Sequence, residues 1–149
     1  MTACHHSSAQ WLHSQVPLVH AEGAARETME EANAAVDVLA PYCHLDIPVI
    51  GQTYLIYRAS LRPPHTFSAG PESADVQLFD ADAIPWKELA FSSVYMTLQK
   101  WVQDKAAGRY SMQQGVIRKK AGASPRDPDA FEFGEKFSMA CDEDVRDEA

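Results

Sequence analysis

One stretch, Glu22 to Ala34 (EGAARETMEEANA), constrains this chain more than any other. Read as a helix, it places Glu27, Glu30 and Glu31 at i, i+3 and i+4, on one face. Like charges at that spacing repel by a few tenths of a kcal/mol per pair, roughly. Arg26, four residues before Glu30, offsets part of this. A divalent cation would offset more, because hard carboxylate oxygens suit Mg²⁺ or Mn²⁺. Ala24, Ala25, Met29 and Ala32 supply strong helix formers around the acidic face.

The rest of the chain narrows what such a helix can serve. At 149 residues the length is that of one domain, and 46% hydrophobic content supports a packed core. The formal net charge of −8 argues against a nucleic-acid or anionic-membrane partner. It also repels a phosphate-bearing substrate unless metal ions stand between. The three cysteines, Cys4, Cys43 and Cys141, are widely spaced and form no CxxC pair. A disulfide framework or zinc site is not expected, and a reducing intracellular compartment is the plainer reading. No apolar run approaches a membrane span. His5, His6, His13 and His20 show no ligand spacing and are not assigned to a metal.

Along the chain, residues 1–18 have no clear periodicity and are expected to be irregular. The helix is expected from about Val19 or His20 to Asn33. Ala35–Leu39 reads as a strand limited by Pro41, with Tyr42–Asp46 extended beyond it. Gln52–Ala59 is the clearest strand, and its continuous apolar run predicts a central position covered on both faces. Asp75–Phe79 alternates and is expected as a further short strand. Asp80–Trp86 reads as a turn into a short helical piece. From about Phe91 the recurrence of Val94, Leu98, Trp101 and Val102 predicts a helix stopped by Gly108. Ala121–Ala149 is polar, acidic and proline-containing, and is expected to be a disordered tail. The expected organisation is an irregular segment 1–18, a domain over 19–117 and a tail over 118–149.

The acidic stretch resembles the second half of the Nudix box, G-x5-E-x7-R-E-U-x-E-E-x-G-U. Arg26, Glu27, Glu30 and Glu31 fall on its R-E and E-E positions, with Thr28 in the aliphatic place and Asn33 where glycine is usual. The first half does not match: its glutamate falls at Leu18 and its glycine at Leu12. Further blocks are similar to the plant-type FAD/ADP-ribose diphosphatase branch of the Nudix hydrolases. They are Leu45–Tyr57, Ala69–Ser73, Leu78–Trp86 and Leu89–Leu98.

The resemblance implies an α/β fold, a Nudix-type α/β/α sandwich with a mixed sheet, missing its N-terminal strands. It implies Mg²⁺ (or Mn²⁺) held by Glu27, Glu30 and Glu31, with Glu27 and Glu31 as first ligands, and a water activated by that acidic set. Arg26 would orient the set, and Glu72 would act as base or extra ligand. The substrate implied is a nucleoside diphosphate such as FAD, cleaved to FMN and AMP, or ADP-ribose. A plastid location is implied by the resemblance alone. Gln52 and Tyr54 could face the substrate, while Trp86 and Phe91 are expected to pack. The departures at Leu12 and Leu18 predict little activity for this chain alone. They also leave open a non-catalytic role, in which the chain binds a partner or pairs with a second copy as a homodimer.

Overall fold

The computed structural model describes residues 16–124 and 130–140. Two helices and four strands occur in the order α1 (Val16–Ala32), β1 (Val36–Ile47), β2 (Gln52–Leu61), α2 (Ser92–Ala107), β3 (Ser111–Lys119) and β4 (Phe131–Ala140). The sheet order is β2-β1-β3-β4. β1 runs antiparallel to β2 and parallel to β3, and β4 returns antiparallel to β3. The sheet is therefore mixed, as expected.

The helices lie on opposite faces. In β2, Tyr54, Ile56 and Arg58 point to one side and are buried. They share it with Tyr42, Cys43, Leu45 and Ile47 of β1, Ile117 of β3 and Met96 of α2. Leu55, Tyr57 and Ala59 point to the other side. There they line a small cleft with Val36 and Val38, under Ala24 and Thr28 of α1. In β2 each residue is thus assigned to a helix by its parity.

Several expectations need correction. α1 begins at Val16, earlier than expected, and so includes the Leu18 position. β1 does not stop at Pro41 but continues to Ile47. Its register with β2 shifts between Val38 and Ala40 and again between Pro41 and Cys43. β3 pairs only with Cys43–Asp46, so Pro41 lies in a bulged stretch with β2 as its one neighbouring strand, where proline is tolerated.

β2 is an edge strand, not a central one. Its apolar run reports a helix on each face, which is a matter of layers and not of neighbouring strands. Asp75–Phe79 forms no strand; Leu78 and Phe79 are exposed. The expected tail carries β4, whose Phe131 and Phe133 pack against the core. Residues 141–149 lie outside the described part.

α2 is the helix expected, and Gly108 ends it in the left-handed conformation at φ 64°. Its buried row is Ser93, Met96, Thr97 and Lys100. Val94, Leu98, Trp101 and Val102, which signalled the helix, are only half-buried. Trp86 packs edge-on against Tyr95 at 5.5 Å between ring centres, whereas Phe91 is mostly exposed. Among the described residues, no helix is long and apolar enough to cross a membrane.

Candidate functional site

α1 turns the row Ala24, Thr28 and Ala32 to the sheet and buries Thr28 and Ala32. The Thr28 hydroxyl donates to the Ala24 carbonyl at 2.8 Å, so a polar side chain is tolerated on this face. One step around the helix come Glu27 and Glu31, both half-buried, and beyond them Arg26 and Glu30, which are exposed. The carboxylates thus form a ledge along the outer border of the helix–sheet contact. Arg26 Nη2 donates to Glu27 Oε1 at 3.0 Å, and Arg26 Nε lies 3.6 Å from Glu30 Oε1. One guanidinium among three carboxylates leaves a balance of −2 over Arg26–Glu31.

Position along the helix makes this arrangement more costly. Glu30 and Glu31 lie in the last turn, at the negative end of the helix dipole, and that turn has no basic residue. A carboxylate there costs about 0.3–1 kcal/mol. An isolated helix would favour lysine or arginine at these places. The donor set is oxygen-only and dense, which fits a hard divalent cation. Among the described residues, no three His, Cys, Asp or Glu side chains converge on one point as the chain stands. Glu27 and Glu30 are instead turned toward Arg26.

Beside this helix end lies the loop that follows β2. Topology brings it there, because Val36, at the start of β1, pairs with Leu61, at the end of β2. Arg62 then donates from its backbone to Ala35 at 2.8 Å and pairs with Asp37 at 2.6 Å. The Ser68 N–H donates to the Ala32 carbonyl at 2.9 Å and the Gly70 N–H to the Glu31 carbonyl at 2.8 Å. Two of the helix's terminal carbonyls are satisfied in this way. A Cβ added at Gly70 would overlap the Glu30 carbonyl oxygen and stand 2.9 Å from the carbonyl carbons of Glu30 and Glu31. Only glycine allows the loop this close. Glu72 is exposed, two residues further on, in the turn closed by Ser73 N–H to the Gly70 carbonyl at 3.1 Å.

The sequence-derived site residues are therefore gathered at one end of α1, with Glu72 on the loop pinned to that end. Leu18 lies in the first turn of α1, at the opposite end, and Leu12 is outside the described residues. Tyr54 is core: it is 5% exposed, and its hydroxyl bonds Gln52 Oε1 within the α2 face.

A second polar cluster was not foreseen. Under α2, the Lys100 ammonium pairs with Asp104 and donates to Ser111 Oγ at 3.0 Å. The Tyr42 hydroxyl and the Ser111 N–H each donate to Asp104 Oδ2 at 3.1 Å. Arg58, also buried, stacks on Tyr110 at 3.5 Å. Burial, then the neighbouring Asp104, push the Tyr42 phenol far above its usual range. Burial pushes the Cys43 thiol up to about 11. A lysine in a helix reads as surface, and nothing in the sequence signalled that this one is buried.

No family model matches the chain, and no curated protein does. Among solved structures it is similar to a NUDIX hydrolase from Nitrosomonas europaea, with 37% sequence identity and a TM-score of 0.63. The match covers 66% of this chain. The chain spans 56% of the length of that structure. The mixed four-stranded sheet between two helices is a Nudix-type fold.

Proposed function

We propose that this chain is a Nudix hydrolase, acting on a diphosphate linked to a nucleoside with a divalent cation at the C-terminal end of α1. The observation that carries this is the acidic ledge itself. Three carboxylates share one side of α1, two of them in the last turn where the helix disfavours them, on a fold similar to that of a solved NUDIX hydrolase.

Glu27 and Glu31, one turn apart and half-buried, would hold Mg²⁺ or Mn²⁺, with Glu30 completing the set. When bound, the cation would neutralise diphosphate oxygens and make water a stronger nucleophile. Arg26 restrains Glu27 through a charged hydrogen bond and Glu30 through an ion pair. Glu72 would accept the proton of the attacking water or add a ligand. Water adds across the P–O–P bridge, so FAD would give FMN and AMP, and ADP-ribose would give AMP and ribose 5-phosphate. These two substrates and a plastid location follow from the sequence resemblance alone.

Leu18 supports a second reading, of a cation-binding domain with little turnover. The apolar residue at the box's first glutamate position lies at the far end of α1 from the acidic ledge. The discriminating experiment is hydrolysis of FAD and of ADP-ribose by the purified chain with Mg²⁺ or Mn²⁺, with products separated by chromatography. Weak turnover that Glu31→Gln abolishes supports the hydrolase. Cation binding without turnover supports the second reading. Absence of both overturns the proposal.

A further inference from the structure

The Glu72 loop is held to the acidic end of α1 by a residue to which no role has yet been given. Asn33 follows the helix with φ 45°, in the left-handed region where glycine is usual. Its N–H donates to the Met29 carbonyl at 2.9 Å and closes the last turn. Asparagine tolerates this conformation better than other non-glycine residues, and it brings a side-chain amide that glycine lacks. That amide is aimed at the loop. Asn33 Nδ2 lies 3.0 Å from the Ala69 carbonyl, 3.1 Å from Ser68 Oγ and 3.4 Å from the Ser68 carbonyl. These contacts fall between the two backbone bonds that Ser68 and Gly70 make to Ala32 and Glu31.

We infer that Asn33 is a positioning residue. It staples the Ser68–Gly70 backbone to the last turn of α1 and so delivers Glu72 to the cation held by Glu27 and Glu31. The inference rests on the cation reading given above. Glu72 is two Cα steps from Gly70, at most about 7 Å, and Gly70 is fixed to the Glu31 carbonyl. The position of Glu72 relative to the ledge is therefore set by the staple and by the absence of a side chain at Gly70. With glycine at position 33 the two segments would keep their backbone bonds but lose the side-chain donors that span Ser68 and Ala69. The pinned loop would then hold Glu72 over a wider range of positions.

The test is a double-mutant cycle on Mn²⁺ affinity, read from the free-ion electron paramagnetic resonance signal with the whole chain. Asn33→Gly suits the left-handed backbone and is expected to fold. Faster exchange of the Ser68 and Gly70 amide hydrogens reports that the loop opens more often without the staple. Asn33→Gly and Glu72→Gln should each weaken Mn²⁺ binding about tenfold, and the double variant should be no weaker than either alone. Glu31→Gln should weaken binding in both backgrounds. Additive effects of Asn33→Gly and Glu72→Gln, or no effect of either beside a clear loss in Glu31→Gln, would overturn the staple while leaving the cation reading intact. No effect of Glu31→Gln would overturn the cation reading, and the staple with it.

Discussion

Lys100 and Asp104 sit four residues apart on α2, and Glu27 and Glu31 sit four residues apart on α1. The first pair has opposite charges, is buried, and is surrounded by Tyr42 and Ser111, which complete its hydrogen bonding. The second pair has like charges, stands at the border of the solvent, and lies toward the wrong end of a helix dipole. The first pair is neutral within itself, and its neighbours complete its hydrogen bonding. The other carries an imbalance of −2 that the neighbouring Arg26 does not remove. On the proposed reading, the difference separates a charge cluster that serves folding from one that serves cation binding. The mark of the latter is a set of like charges crowded toward the helix end that disfavours them.

The contrast can be broken first at the buried pair. Lys100→Met leaves Asp104 without its cation, and denaturant unfolding should show a loss of about 3–5 kcal/mol. The loss should be the same with and without Mg²⁺. A Mg²⁺-dependent loss would mean that the two clusters are coupled.

A pH titration sharpens the same side. The neutral forms of Cys43 and Tyr42 are favoured in the folded chain, so the unfolded chain releases these protons first. Stability should be fully present below about pH 9 and fall as pH rises toward about 11, where Cys43 titrates in the folded state. The thiol accounts for ~3 kcal/mol of that fall, and Tyr42 extends it to higher pH. In Cys43→Ala the slope between pH 9 and 11 should flatten, as read from denaturation midpoints across the range.

The acidic ledge should behave in the opposite sense. Without divalent ions, Glu31→Gln removes a like charge and an unfavourable dipole interaction, and should raise stability by about 0.5–1 kcal/mol. A loss of stability in that variant would place Glu31 among the structural groups.

How much of this was legible in the residues depends on how local the cause is. The limits of α2 and the end of α1 follow from Gly108 and Asn33, whose backbone conformations act on their own neighbours. The acidic ledge is legible for the same reason, since helix geometry alone puts Glu27, Glu30 and Glu31 together. β4 was hidden by its acidic flanks, although Phe131 and Phe133 at a spacing of two were the available signal. The same alternation over Asp75–Phe79 gives no strand, because no neighbour in the sheet pairs with it. β2 was placed centrally because its apolar pattern records layers and not neighbours. The staple between Asn33 and Ser68, 35 residues apart, and the burial of Lys100 under β1 and β3 depend on tertiary contacts that no local pattern announces.

The most direct measurement is the melting temperature of the wild-type chain and of Glu31→Gln as Mg²⁺ is raised at constant ionic strength. If the ledge is built for a cation, the wild type should start less stable than the variant, rise saturably with Mg²⁺, and overtake it, while the variant stays flat. An equal rise in both, or none in either, would show that the charge imbalance on α1 is not a binding site for Mg²⁺.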